Sequence, residues 1–452
     1  MSPRTSRAAR AAISDVVRHT PVVESEVLTA RCGGRVLIKA ENLQRTGSFK
    51  LRGALGKLAA LGDGCDGGVV AGSAGNHAWA LAEAARARGV PCEVYMPAQA
   101  PIAKIEGCEA LGAVVHLVGD SLEDCFAAAT ARAQEGGLAF VHPFDDADVV
   151  AGQGTVGLEL LEDVDDLAKV VVPLGGGGLS SGIAIAVKSA LPRVEVVGVQ
   201  AGACASFAES LRRGEPVGVA SALTIADGIA VKRPGVITLE LVQRWLDDVV
   251  AVGEDEIAEA MVLLMERSKL VVEGAGAVGV AALLGGLIEP AAVGSTVVVL
   301  SGGNVDPGLL AAVARRHETQ AGRAGTPART CRRDRREPRR GRARPRGRRF
   351  ARARDRRAAR AGDARTRARG GRAGRARGGR LHDARARLTR PAPWSVEVVE
   401  RGVDEAGGRV EERAREAHGC RGRRTRTAPD QRRRARRSRR PGRRAGSASA
   451  SR

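Results

Sequence analysis

The stretch Val170-Val171-Val172-Pro173-Leu174-Gly175-Gly176-Gly177-Gly178-Leu179-Ser180-Ser181-Gly182 decides how this chain folds. A β-branched run reads as a buried strand, and the apolar pattern after Leu179 reads as a helix through Ala190. Four glycines between them let the backbone wrap an anion, with successive N–H groups and the helix N-terminus supplying positive potential. A flexible linker is the plainer reading, but linkers rarely join a buried strand to an apolar helix. No Gly-Lys-Ser/Thr follows, so this is not a Walker loop, and no GxGxxG with a distant acidic residue marks a dinucleotide turn. A compact phosphate carrying no nucleotide fits better.

Reading outward from this unit, the strand–helix alternation repeats on both sides. Strands are expected at Val36–Ala40, Gly68–Ala71, Pro91–Met96, Ala113–Val118 and Ala139–His142 before it. Glu195–Gln200, Asp248–Val252 and Thr296–Leu300 follow. Apolar strands separated by helices predict an α/β fold with a parallel sheet covered on both faces. Ser73 is placed to cap an Ala-rich helix over Asn76–Arg88 that stops at Gly89. The length suits two lobes with a cleft between them.

The formal charge of +22 averages two unlike segments. Of 73 basic and 51 acidic residues, 46 Arg and 13 acidic residues lie from Arg323 onward, a net +33; residues 1–322 are left with −11. That C-terminal segment holds seven Val or Leu, one Phe, one Trp and no Lys. Such a composition cannot offset chain entropy and predicts disorder. Arginine without any lysine is what GC-rich codons give in a wrong frame, so a frameshift product is favoured over an evolved tail. A basic tail would hold nucleic acid non-specifically at most, since aromatics for base stacking are nearly missing.

Other classes fall away. The eight cysteines are scattered singly, with no CxxC pair, which predicts reduced thiols and a cytoplasmic setting. No apolar run follows the basic start, so no secretory signal is expected. The longest uncharged apolar stretch, Gly274–Ile288, is too short and Gly-rich for a membrane span, which needs about 18–20 residues.

Three further constellations carry chemistry. In Thr46-Gly47-Ser48-Phe49-Lys50-Leu51-Arg52-Gly53-Ala54, a lysine opens a helix beside an aromatic ring and can form a Schiff base on a cofactor. An ordinary surface lysine is the plainer reading of that nonapeptide alone. Ser73-Ala74-Gly75-Asn76-His77 follows a strand end, where backbone N–H groups and an amide can hold a carboxylate or a ring oxygen; an N-cap with a solvent-facing histidine is equally open. Leu300-Ser301-Gly302-Gly303-Asn304 ends another apolar strand, where a hydroxyl can meet a ring nitrogen or the segment can simply turn.

Taken together and in this order, residues 20–316 resemble the threonine dehydratase family of fold-type II pyridoxal-phosphate enzymes. The resemblance extends to Val141-His142-Pro143-Phe144-Asp145-Asp146, Ala151-Gly152-Gln153-Gly154-Thr155, Ala226-Asp227-Gly228 and Glu273-Gly274-Ala275-Gly276. It implies a tryptophan synthase β-like fold of two open parallel-sheet lobes with pyridoxal 5′-phosphate in the cleft. The catalytic unit would be residues 1–322, with 52–149 the smaller lobe and 323–452 standing where many relatives have a regulatory domain. Lys50 would then be the Schiff-base lysine, Phe49 the residue against the cofactor ring, and Asn76 the partner of the ring oxygen. Gly175, Gly176, Gly177, Gly178 and Leu179 would cradle the phosphate and Ser301 would meet the pyridine nitrogen. Ser73, Ala74, Gly75 and His77 would contact the amino-acid substrate.

The implied reaction is β-elimination of L-threonine to 2-oxobutanoate and ammonia, and of L-serine to pyruvate, in a homo-oligomer (dimer or tetramer). The alternatives are a serine-preferring dehydratase, a serine racemase, or a nucleic-acid-binding protein acting through its tail. Racemase relatives carry a second serine where this chain has Ala74, which disfavours racemisation. They also bind a divalent cation through carboxylates that are lacking in Gln200–Ser206, so no divalent site is expected; a monovalent cation held by carbonyls stays open.

Overall fold

The computed structural model describes residues 3–220 and 223–320. Among the described residues, ten strands form two sheets. The larger contains β1 (Val22–Glu24), β2 (Val36–Ala40), β7 (Leu167–Pro173), β8 (Glu195–Ala201), β9 (Asp248–Val252) and β10 (Ser295–Leu300), in the order β1-β2-β10-β7-β8-β9. The smaller contains β3 (Val69–Gly72), β4 (Cys92–Met96), β5 (Val114–Leu117) and β6 (Ala139–Phe140), in the order β5-β4-β3-β6. Every pairing is parallel except β1 with β2. The α/β expectation holds, and each expected strand is present within a few residues.

The burial of these strands follows from their composition. β10 is buried along its whole length, and β8 is buried after its first residue. Helices on both faces remove any need for polar alternation. Around β10 and β2, Val298, Ile38, Val171, Val278 and Met261 share one cluster, while Leu51, Leu58, Ala78, Leu81 and Val94 form the core of the smaller sheet.

Two expectations are corrected. Ser73 does not cap the Asn76–Arg88 helix: Gly75 stands at the cap without a side-chain bond, and Ser73 Oγ instead accepts from the Gly75 N–H at 3.3 Å. The short hydroxymethyl reaches an amide within its own turn more easily than one in the helix beyond it. His77 does not face solvent but is 4% exposed. The readings of an Arg-rich disordered or frameshifted tail concern residues that lie outside those described.

The helix that opens at Lys50 is held from two sides. Gly152 of the Ala147–Gln153 helix sits so close to the Lys50–Leu61 helix that a methyl there would strike the Arg52 carbonyl and Gly53. Arg52, fully buried, forks to two carboxylates: Glu41 at 2.8 and 2.9 Å and Glu159 at 2.6 and 2.9 Å. Lys39, also fully buried, reaches Glu159 at 2.7 Å and Asp163 at 3.2 Å. Burial alone would push Glu41 up, but the charge and hydrogen bonds of Arg52 hold its carboxyl below the usual range.

Candidate active site

The site gathers at the C-terminal ends of strands from both sheets, where an open α/β sheet offers a crevice. Lys50 is the first residue of its helix, and its Nζ donates to the Pro143 carbonyl at 2.9 Å. No salt bridge joins it to a carboxylate among the described residues. Burial pushes the ammonium down to about 8, opposed by the charge of Glu273. An amine so placed is partly neutral near pH 8, as a nucleophile or proton acceptor must be. Phe49 lies beside it, with Nζ 5.3 Å from the ring centroid.

Asn76 opens the helix after β3 and spends both ends of its carboxamide on the protein. Its Nδ2 donates to Glu273 Oε1 at 2.8 Å, and its Oδ1 accepts from Asn304 Nδ2 at 2.7 Å. Asn304 donates as well to the Thr46 carbonyl at 2.8 Å. Ser301 directly follows β10, is 2% exposed, and accepts at its carbonyl from the Phe49 N–H at 3.1 Å. Ser48 and Gly302 form a bridge between the same two segments. Lys50, Asn76, Ser301 and Asn304 are thereby brought into one neighbourhood, as are Ser73, Ala74 and Gly75, which form the turn between β3 and Asn76.

The glycine loop connects β7 to the Gly178–Ala190 helix, and no side chain caps that helix. Its first-turn amides therefore have no intrahelical partner. Gly177 sits at φ 91°, in the left-handed region, where a side chain would be strained and would also press on Thr238. A methyl at Gly176 would run into the Phe144 ring, and one at Gly175 would come within 2.8 Å of Ile229. Thr238 Oγ1, beside Gly177, is buried with no hydrogen-bond partner. A turn that only glycine can line, with first-turn amides lacking an intrahelical partner and an orphaned hydroxyl, fits an anionic phosphate.

The segment Val141–Asp146 has a structural role at each step. Neutral His142 accepts at Nδ1 from the N–H groups of Phe144 and Asp145, and burial lowers its pKa to about 4. Asp145 accepts from the N–H groups of Val236 and Thr238, both at 3.0 Å, and so caps a helix more than ninety residues away. Asp146 caps the Ala147–Gln153 helix. His77 rests with Nε2 on the Val141 carbonyl at 2.9 Å, and burial lowers its pKa to about 3.

A family model described as pyridoxal-phosphate dependent enzyme matches residues 13–302, a span that contains Lys50, Asn76, the glycine loop and Ser301. The chain belongs to the pyridoxal-phosphate dependent enzymes. Among members of this family, an L-threonine ammonia-lyase of Thermotoga maritima is 46% identical over 316 residues, covering 70% of this chain and 78% of that protein. The solved processed form of threonine deaminase isoform 2 from Solanum lycopersicum superposes with a TM-score of 0.66 at 33% identity, covering 69% of this chain and 87% of the other. A maize serine racemase superposes with a TM-score of 0.66 at 34% identity, covering 71% and 99%. Pyridoxal phosphate is the cofactor, and the glycine turn and the lowered pKa of Lys50 are the features of this structure that suit its phosphate and its aldehyde.

Two residues of the site escaped the sequence reading. Glu273 stood only inside the motif Glu-Gly-Ala-Gly, without a role, and is now a partner of Asn76. Asn304 stood only at the end of a turn. The signal in both cases was a polar residue directly before or after a Gly-rich bend at a strand or helix end.

Proposed function

We propose that this pyridoxal-phosphate dependent enzyme is a threonine ammonia-lyase, eliminating water from L-threonine and releasing 2-oxobutanoate and ammonia, with L-serine as a second substrate giving pyruvate. The observation that carries this reading is the placement of Lys50: a half-buried amine with a lowered pKa, held by a carbonyl rather than a carboxylate, within one neighbourhood of Asn76 and Ser301. The similarity to threonine ammonia-lyase and threonine deaminase supports the choice of substrate.

Each residue then has a defined task. Lys50 would hold the cofactor aldehyde and, once freed, accept the Cα proton of the substrate. Phe49 would bound the ring, Asn76 would donate to its oxygen, and residues 175–179 would bind the phosphate through their amides. The bound cofactor supplies the electron sink that makes Cα acidic. Ser301, a neutral hydroxyl rather than a carboxylate, would leave the ring nitrogen largely unprotonated and limit charge delocalisation, which favours loss of the β-hydroxyl. Ser73, Ala74 and Gly75 would form the wall against the substrate carboxylate, and His77 would support that turn from beneath.

We place the catalytic unit at residues 1–322, with 52–149 as its smaller lobe, in a cytoplasmic homo-oligomer. Among the described residues no helix is long and apolar enough to cross a membrane. The test is direct. Purified protein with pyridoxal phosphate should show a visible cofactor band and produce 2-oxobutanoate from L-threonine. A protein that binds the cofactor but turns over neither threonine nor serine would overturn this reading.

A further inference from the structure

We infer that Glu273 is a positioning residue of the cofactor site, whose buried carboxylate takes one N–H of Asn76 and so aims the remaining N–H of that carboxamide into the cleft. A carboxamide has two donors and one acceptor oxygen, and a free one can flip by half a turn. Here the flip is blocked at both ends. The ionised Glu273 Oε1 can only accept, from Asn76 Nδ2 at 2.8 Å, and Asn304 Nδ2 can only donate, to Asn76 Oδ1 at 2.7 Å. One N–H of Asn76 is left over, and it is a donor of fixed direction. The inference rests on the assignment of Asn76 to the cofactor ring oxygen.

Glu273 is itself rigidly placed. Its backbone N–H donates to the Gly302 carbonyl at 3.1 Å, and it stands at the start of the Gly274–Leu284 helix, where a negative charge is favoured. A side chain on Gly302 would collide with its carboxyl, and one on Gly228 would approach within 3.3 Å. The residue is 4% exposed. Asn76 belongs to the helix after β3, whereas Glu273 and Asn304 come from segments around the larger sheet, so the clamp also joins the elements of the two sheets.

Burial pushes the Glu273 carboxyl up to about 7, assisted by the charge of Asp227 and opposed by the Asn76 hydrogen bond and by Lys104 and Lys50. These are the charged groups that face it: Lys50 from the helix it opens, Lys104 from the Ile102–Glu109 helix, and Asp227 from the turn Asp227–Ile229. Above pH 7 the carboxylate is charged and the clamp is tight. Below pH 7 the neutral acid is a weaker acceptor, and the amide is held less firmly.

The experiment uses full-length enzyme loaded with pyridoxal phosphate and follows the visible cofactor absorbance from pH 5.5 to 8.5. Wild type should show a transition near pH 7. Glu273→Gln, neutral at every pH, should lack it and resemble the wild-type acid form throughout, with kcat about tenfold lower and KM within about twofold, as when outer partners of a metal ligand are removed. Retention of both the transition and wild-type kcat in Glu273→Gln overturns the inference. Should that variant not fold, Glu273→Asp keeps the charge but falls one methylene short of Asn76; a tenfold loss of kcat supports the clamp and an unchanged spectrum and kcat overturn it. If wild type takes up cofactor and Lys50→Ala does not, while both Glu273 variants are silent, the clamp fails and the cofactor assignment stands. If wild type itself takes up no cofactor, the assignment of the site fails, and the clamp with it.

Discussion

Lys50 Nζ lies 2.9 Å from the carbonyl oxygen of Pro143, so the first residue of one helix is tied to the segment leaving β6. A carbonyl accepts a proton-bearing amine but, unlike a carboxylate, does not lock it in the charged form. The amine can then change partners, which is what a residue that alternates between holding a cofactor and accepting a proton must do.

The first prediction follows from that contact. Lys50→Ala should remove the visible cofactor band and lower lyase turnover by at least about a thousandfold, the scale of losing a covalent catalyst. Burial lowers the Lys50 pKa in the folded protein to about 8, so its neutral form is favoured there. Holding it charged costs stability below pH 8, and that cost is relieved as pH rises toward the unfolded value. Cofactor-free Lys50→Ala should accordingly be more stable than wild type at pH 7, with the gain shrinking at pH 10; urea melts at both pH values check the sign.

A second prediction concerns Arg52. Arg52→Met leaves Glu41 buried without its direct cation and Glu159 with Lys39 alone, and should cost about 3–5 kcal/mol at pH 7. Glu41 titrates below its unfolded value, so its contribution is present above the usual carboxylate range and is lost as pH falls through the folded pKa. The deficit of the variant should therefore narrow on acidification, measured by urea melts at pH 7 and pH 4. An equal deficit at both would mean that packing, not charge, dominates.

Much of this architecture was legible because β7, β8 and β10 lie under helices on both faces, and continuous runs such as Val170–Val172 and Thr296–Leu300 are what such burial selects. Lys50, Asn76, the four glycines and Ser301 stood out in the sequence because each sits at or beside a strand or helix end with small neighbours, and we propose them as the site. β1 was not, since three residues of mixed polarity paired antiparallel to β2 carry no periodic pattern. The Arg52 fork was hidden for another reason: its partners stand 11 and 107 residues away, and pairing at such separations leaves no local trace. Asp145 capping a helix through Val236 and Thr238 is the same case.

Ala74 yields a third prediction. It stands in the turn before Asn76 and offers no hydroxyl, where relatives that racemise serine carry a second base. Wild type should form D-serine from L-serine at under about a tenth of the rate of pyruvate, the kind of gap a missing general base leaves. Ala74→Ser should shift that ratio toward racemisation, read by chiral chromatography of the products.

The composition break gives a fourth. Truncation after Gln320 should leave kcat for threonine within about twofold and improve solubility, because a segment of +33 no longer attracts polyanions. Loss of activity on truncation would make residues 321–452 part of the working enzyme.

β10 lies between β2 and β7, although among the described residues it is the last strand to be made. On the ribosome, β2 therefore waits for a neighbour about 250 residues downstream, tens of seconds at about 5–20 residues per second. The four strands between Val69 and Phe140 face no such delay, since all their partners lie within that span. The smaller sheet can form during synthesis, while the larger closes only when Ser295–Leu300 threads into its centre. Any nascent chain stopped short of that strand exposes the facing edges of β2 and β7, unpaired strand edges that chaperones and proteases must clear.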